Sequence, residues 1–144
     1  MDIEIRDNVL QLDIHGFGGI ASNRDYAGTA FKLSGKMWDI VKSNNIKNKG
    51  KNIWVYESEH KVFAGVELEN GPAAGGLESK RITLDRYAYF KHIGPYNRIR
   101  ESGQAMVSEL AKRGLEVTLP SIEIYGHWTG DESTSVAELL MALK

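Results

Sequence analysis

The chain has no cysteine among its 144 residues, which excludes disulfide bonds, thiolate metal sites and thiol nucleophiles together. It also lacks a net charge of any size, because 18 basic and 19 acidic residues give a formal charge of -1. Surfaces that bind nucleic acid normally show a basic excess, so we expect no direct nucleic-acid contact. The small cluster of Lys47, Lys49 and Lys51 lies beside Asn and Gly residues and is typical of a solvated loop.

Long apolar runs are missing as well. No segment approaches the roughly 20 apolar residues that a transmembrane helix needs, and residues 1–4 do not begin a basic-then-apolar signal peptide. We therefore expect no membrane partner and a cytoplasmic location. A composition of 42% hydrophobic and 26% charged residues fits one globular domain over residues 1–144.

Motifs for cofactors are also absent or incomplete. The glycines of residues 16–21 approximate a dinucleotide fingerprint, but the predicted helix starts too late and the acidic Glu57 is too far away. There is no nucleophile elbow and no phosphate loop. The histidines have no paired metal-ligand spacing, since they stand at His15, His60, His92 and His127. We expect neither a metal nor an organic cofactor.

The first half of the chain predicts the order strand, helix, strand, strand. Residues 9–15 alternate as a strand and run into a glycine loop at residues 16–19. Ser22, Asn23 or Asp25 can cap a helix that ends near residue 44, and residues 53–56 and 62–66 predict an antiparallel hairpin. The apolar stripe expected on that helix comprises Ala27, Phe31, Met37, Ile40 and Val41.

The second half repeats this order after the glycine-rich segment 70–76. Strands are predicted at residues 80–84 and 87–93, a helix from about 97 to 113, and a further strand at 121–128. The helix has one apolar face, formed by Ile99, Gly103, Met106 and Leu110. Residues 136–143 have high helix propensity, whereas the repeat predicts a strand there.

This duplication predicts the fold class. We expect an α+β domain of two β-α-β-β repeats, about 1–76 and 77–144, related by pseudo-twofold symmetry. The sheet should be antiparallel, with the helices on one side. A ligand groove is expected between the halves, because concave sites form where packed units meet.

Two motifs in the second half resemble a known family. The segments His92-Ile-Gly-Pro-Tyr96 and Pro120-Ser-Ile-Glu-Ile-Tyr125 flank the predicted helix. They are similar to those of the GyrI-like small-molecule-binding family, also called the bacterial transcription-activator effector-binding domain. That family includes the effector domains of BmrR and Rob and the DNA gyrase inhibitory protein. The resemblance implies a groove that binds bulky, lipophilic and often cationic molecules around a buried acidic residue, at the position of Glu123.

The alternation of the strand predicted at residues 121–128 agrees with this role. Glu123, Tyr125 and His127 share one face of an extended strand, while the isoleucines at 122 and 124 share the other. If the isoleucines face the helices, the polar face looks into the groove. An alternative is that Glu123 forms a structural ion pair with Lys91 or Arg86 on a neighbouring strand.

Further aromatic residues are candidates for the ligand site. Trp54 and Tyr56 share a strand face that we expect to oppose Glu123, and aromatic faces attract cations. Tyr89 is a ligand candidate or a sheet-packing residue. Trp128 can wall the end of the groove or cover the core, and Phe17 can act as a lid from its glycine loop. His92 and Tyr96 flank the Gly-Pro turn and are expected to be structural.

The resulting functional hypothesis is a stand-alone domain that senses or sequesters a cationic, aromatic small molecule. No helix-turn-helix precedes residue 9, so control of transcription would need a partner regulator. Two alternatives stay open. One is a hydrolase of reactive electrophilic xenobiotics in which Glu123 and Tyr125 supply acid and base. The other is a protein-interaction module that acts on gyrase.

Overall fold

The computed structural model describes residues 1–69, 76–126 and 132–144. His127, Trp128 and most of the glycine-rich segment between the halves therefore lie outside the described residues. None of the helices in the described ranges is both long and apolar enough to traverse a bilayer. The strands and longer helices are, in chain order, β1 (Glu4–Arg6), β2 (Leu10–Ile20), α1 (Tyr26–Ser43), β3 (Asn48–Tyr56), β4 (Lys61–Leu68), β5 (Glu78–Leu84), β6 (Tyr87–Ile93), α2 (Ile99–Lys112), β7 (Val117–Tyr125) and β8 (Val136–Leu143).

All strands join one antiparallel sheet in the order β1-β6-β8-β7-β3-β4-β2-β5. The units β2-α1-β3-β4 and β6-α2-β7-β8 occupy equivalent positions on either side of the β3–β7 junction. This arrangement confirms the predicted α+β fold of two β-α-β-β repeats. The halves meet where β3 pairs with β7, so this junction is the centre of the sheet.

Short connections force this sheet to curl. β1 and β2 lie six strand positions apart, which would separate them by about 29 Å in a flat sheet. Only residues 7–9 connect them, and such a link spans at most about 14 Å. An ion pair from Arg86 Nε to Asp7 Oδ1, 2.9 Å long, joins this link to the one between β5 and β6. The two edges of the sheet are therefore drawn toward each other.

The curl gives the sheet an inner face that is filled by its own side chains. Ile53, Val55 and Ile122 are fully buried there, in a cluster that includes residues from every strand from β2 to β8. Both helices pack on the outer face, with Met37 of α1 and Met106 of α2 fully buried against it. The helices thus lie on one side, as predicted, but the isoleucines of β3 and β7 face away from them.

The glycines at 16–19 do not form a loop, because β2 continues through them to Ile20. Gly16 pairs with Gly65 of β4, and a Cβ atom at Gly16 would collide with the carbonyl oxygen of Ala64. These glycines therefore allow two backbones to approach closely within the sheet. Phe17 is consequently not a lid: it is buried under α1, and Lys36 Nζ lies 4.1 Å from the centre of its ring.

The C-terminal segment is a strand, as the repeat predicts and against its helix propensity. β8 lies between β6 and β7 and is covered on both faces, which explains its nearly continuous apolar run. β7 begins earlier than predicted, at Val117, so Pro120 lies inside it. The pairing with β8 shifts register between Val117 and Ser121, and such an irregularity accommodates a proline within a sheet.

Candidate functional site

A cavity of about 1620 Å³ lies between α1 and the start of α2, over the central junction of the sheet. Its floor consists of alternate residues of two paired strands, because every second side chain of a strand points to the same face. β3 contributes Asn48, Gly50, Asn52, Trp54 and Tyr56, and β7 contributes Leu119, Ser121, Glu123 and Tyr125. The walls come from α1 and from residues 96–100.

Glu123 lies at the middle of this floor. Two tyrosine hydroxyls donate to the same carboxylate oxygen, Oε1: Tyr56 Oη at 2.8 Å and Tyr125 Oη at 2.7 Å. Burial raises the pKa of Glu123 above its ordinary value, although both hydrogen bonds act in the opposite direction. Burial and the adjacent carboxylate also raise the pKa of both tyrosines, so they remain protonated donors.

Aromatic rings surround this carboxylate. Trp54 is the direct cross-strand partner of Glu123, and the Trp54 and Tyr125 ring centroids are 4.8 Å apart. Tyr96 packs edge-on against Tyr125 with centroids 5.1 Å apart, and Tyr26 of α1 packs edge-on against Tyr56 at 6.0 Å. All five rings line the cavity. The site therefore combines a desolvated carboxylate with half-buried aromatic rings.

The described residues offer no structural ion pair for this carboxylate. Arg86 pairs with Asp7 in the link between β1 and β2, and Lys91 lies opposite Glu138 on β8. Within residues 1–69, 76–126 and 132–144, no lysine, arginine or histidine nitrogen lies within 4.0 Å of the Glu123 oxygens. The predicted alternative of a cross-strand pair with Lys91 or Arg86 is therefore wrong.

A family model described as a GyrI-like small molecule binding domain matches residues 32–144. This chain belongs to the GyrI-like family. The match includes β3, β7 and α2, and hence the whole floor of the cavity. No curated protein sequence matches the chain.

Solved structures with the same fold align with nearly the whole of this chain. SAV2435, in a structure bound to tetraphenylphosphonium, is 15% identical with a TM-score of 0.69, covering 100% of this chain and 94% of that one. The EcmrR C-terminal domain is 11% identical with a TM-score of 0.71, covering 99% and 97%. A hydrolase encoded by lin2189 from Listeria innocua is 10% identical with a TM-score of 0.59, covering 99% and 91%. At these identities the likeness shows a shared fold.

Four of the predicted ligand residues meet in the cavity of the GyrI-like domain: Trp54, Tyr56, Glu123 and Tyr125. Trp54 and Tyr56 lie beside Glu123 on the same face, and not opposite it as predicted, because β3 and β7 are neighbours in one sheet.

Tyr89 lies elsewhere, packed against the core on the inner face of the sheet. Its hydroxyl donates to Glu138 Oε2 at 2.7 Å, and burial with that hydrogen bond raises its pKa to about 12. It is therefore a sheet-packing residue, the alternative stated for it. Phe17 faces the same side as the cavity but is covered by α1.

One stripe of α1 and one further ring line the cavity although the sequence pattern did not predict it. Ala27 and Phe31 were expected in the core, but both line the cavity and Phe31 is 72% exposed. The core stripe of α1 is instead Ala30, Ser34, Met37 and Val41. Both stripes have helical spacing, so the sequence pattern alone does not distinguish them.

Tyr96 was expected to be structural, yet its ring lines the cavity. The prediction that His92 is structural is confirmed, because the buried His92 ring fixes the Gly-Pro turn. His92 Nε2–H donates to the Pro95 carbonyl at 3.0 Å, so Nδ1 accepts from the Ser102 hydroxyl at 2.7 Å. The turn that precedes α2 is thus held in the position that brings Tyr96 against Tyr125.

Proposed function

We propose that this GyrI-like domain senses or sequesters bulky, lipophilic aromatic cations in the cytoplasm. The observation that supports this most directly is the Glu123 carboxylate on the cavity floor. It is desolvated, it has no cationic partner among the described residues, and aromatic rings surround it. A bound organic cation would supply the missing counter-charge.

The energetics favour a cation over a neutral molecule of the same shape. A partly buried carboxylate without a counter-ion costs several kcal/mol of desolvation, and a bound cation offsets that cost. Each aromatic face adds about 0.5 to 2 kcal/mol of cation–π attraction. Trp54, Tyr125 and Tyr96 are close enough together to act on one ligand.

The size of the cavity favours a bulky ligand. Its volume of about 1620 Å³ exceeds the roughly 300–1,000 Å³ of usual small-molecule sites. SAV2435, which has the same fold, was solved with tetraphenylphosphonium, a large aromatic cation. Such a compound is therefore a suitable first probe for this domain.

We expect tetraphenylphosphonium to bind saturably and to quench tryptophan fluorescence, because Trp38 and Trp54 line the cavity. Triphenylphosphine oxide, which is neutral and keeps three of the four phenyl rings, should bind at least about tenfold more weakly. The measurement is a fluorescence titration checked by calorimetry. Equal affinity for the two compounds, or binding of neither, would contradict the proposal.

Cation affinity should also depend on pH. Burial raises the pKa of Glu123, so the carboxylate takes up a proton at a pH where an exposed glutamate stays ionised. We expect affinity for tetraphenylphosphonium to be constant near neutral pH and to fall as the pH drops through this raised pKa. Affinity for triphenylphosphine oxide should not fall over the same range, because the neutral probe loses no charge interaction when Glu123 is protonated. A pH-independent affinity for the cation would show that Glu123 does not interact with its charge.

One feature also supports the hydrolase alternative. A carboxyl group with a raised pKa that shares one oxygen with two tyrosine hydroxyls can exchange a proton with a reacting group. If the domain is an enzyme, an electrophilic substrate should be consumed with turnover, and Tyr125→Phe should slow it without preventing cation binding. Stoichiometric binding without product formation would contradict the hydrolase alternative, and binding would stand as the function. Action on gyrase remains a prediction, which a supercoiling assay would test.

A further inference from the structure

The cavity is much longer than the cluster around Glu123. Along β3 its floor extends from Asn48 to Tyr56, which corresponds to about 26 Å at the usual rise of a strand. The carboxylate and its rings occupy only the half that begins at Trp54. The other half, from Asn48 to Asn52, is a second compartment with a polar floor, where Trp38 of α1 supplies a further ring between Gly35 and Lys42.

Polar groups form the floor of this second compartment. The Asn48 side chain is used internally: Nδ2 donates to the Ile46 carbonyl at 3.2 Å and Oδ1 accepts from Gly50 N at 2.8 Å. These bonds hold the irregular register of β3 between Asn48 and Asn52. Asn52 Oδ1 accepts from the Ser34 hydroxyl at 3.1 Å, which leaves the amide nitrogen of Asn52 as a donor on the cavity floor.

Two glycines leave space beside this floor. Gly35 lies within α1, and a Cβ atom added there would meet no other atom within 4 Å. A glycine inside a helix costs about 0.5–1 kcal/mol relative to alanine, so its presence here is not explained by packing within the described residues. Gly50, whose φ of 78° itself favours glycine, also lines the cavity, and beside these two glycines a passage leads from the aromatic half toward the end of α1.

A positive charge stands at the end of this passage. Lys42, in the last turn of α1, is the only charged residue among the described ones that lines this half of the cavity. Apart from Glu123 of β7, the other charged lining residues belong to the segments before α1, after β3 and at the start of α2. Lys42 forms no ion pair with any described residue.

We propose that the second compartment binds the acidic end of an elongated amphiphile whose aromatic cation lies over Glu123. Lys42 and the Asn52 amide recognise the carboxylate, and the passage beside Gly35 and Gly50 holds the connecting chain. This inference rests on the proposed binding of cations. It makes the preferred ligand a long zwitterion and not a compact cation.

The test compares three probes: tetraphenylphosphonium, heptyltriphenylphosphonium and (6-carboxyhexyl)triphenylphosphonium. We expect the carboxylated compound to bind about fivefold more tightly than the heptyl compound, a modest gain because Lys42 is exposed. Lys42→Met should abolish this ratio, while Lys32→Met, an exposed lysine of the same helix outside the cavity, should preserve it. Gly35→Leu should lower the affinity of both chain-bearing probes relative to tetraphenylphosphonium.

The outcomes separate this inference from the proposed function. If all probes bind equally well and Lys42→Met changes no ratio, the second compartment has no such role, while cation binding stands. If tetraphenylphosphonium and both longer compounds fail to bind, the cation site itself is wrong. Retention of the carboxylate preference in Lys42→Met would also overturn the inference, because the recognition would then lie elsewhere.

Discussion

Glu123→Gln should lower the affinity for tetraphenylphosphonium about 30-fold, which corresponds to about 2 kcal/mol. The substitution removes the charge on the cavity floor but keeps an oxygen that can accept from Tyr56 and Tyr125. The rings around the site, and hence the cation–π attraction, should remain. The loss therefore measures the charge of Glu123 rather than the shape of the cavity.

The chain provides a matched control for this experiment. Glu138 is also partly buried and also accepts from a tyrosine, Tyr89, but it lies on the inner face of the sheet. Glu138→Gln should leave the affinity for the cation within about twofold, because it does not line the cavity. Triphenylphosphine oxide should lose no affinity in Glu123→Gln, because it carries no positive charge and its oxygen can accept from the new amide. An equal loss of cation affinity in both variants would point to a general change in structure and contradict the role of Glu123.

The same Glu123→Gln substitution should make the empty protein more stable at neutral pH, by about 1–2 kcal/mol. In the folded state the carboxylate is desolvated without a counter-charge among the described residues, whereas in the unfolded chain water solvates it. Removing the charge removes this penalty. We expect a rise of roughly 4 °C in the melting temperature.

The direction of the Glu123 pKa shift determines how this stability gain changes with pH. Because the pKa of Glu123 is higher in the folded state, the folded protein binds more protons than the unfolded chain above the ordinary pKa of 4.5. The contribution of Glu123 to the free energy of unfolding of the native protein is therefore most favourable below pH 4.5. It becomes less favourable as the pH rises through the raised pKa. The stability gain of Glu123→Gln should vanish in acid. Thermal unfolding of both proteins from pH 4 to pH 8 measures it, and a native protein more stable than the variant at pH 7 would refute the penalty.

Local sequence patterns predicted the elements that depend on near neighbours. Asp25 caps α1 by accepting from Gly28 N at 3.0 Å, and Gly114 ends α2 with a φ of 73°, as residue preferences indicate. The hairpin of β3 and β4 follows from two apolar runs around a tight turn. These features require no knowledge of distant residues.

Several predictions failed where a distant partner decides the outcome. The glycines at 16–19 look like a loop until β4 is placed beside them, because only then does the close approach to Ala64 and Gly65 explain Gly16. The alternation of β7 correctly placed Glu123 and Tyr125 on one face, but not the side of the sheet on which the helices lie. Tyr89 likewise lies on an alternating strand and was a ligand candidate. In the sheet it pairs with Leu140 of β8, and its side chain packs on the inner face.

The sequence by itself determined the duplicated α+β fold, the family resemblance and the strand face shared by Glu123 and Tyr125. These could be predicted because periodicity and short motifs are local properties. Only the tertiary structure decided that Trp54 lies directly beside Glu123, that two tyrosine hydroxyls share one of its oxygens, and that a polar compartment continues the cavity toward Lys42. The physical reason is strand pairing: the register between β3 and β7 joins residues about 70 positions apart, and no local preference specifies that register.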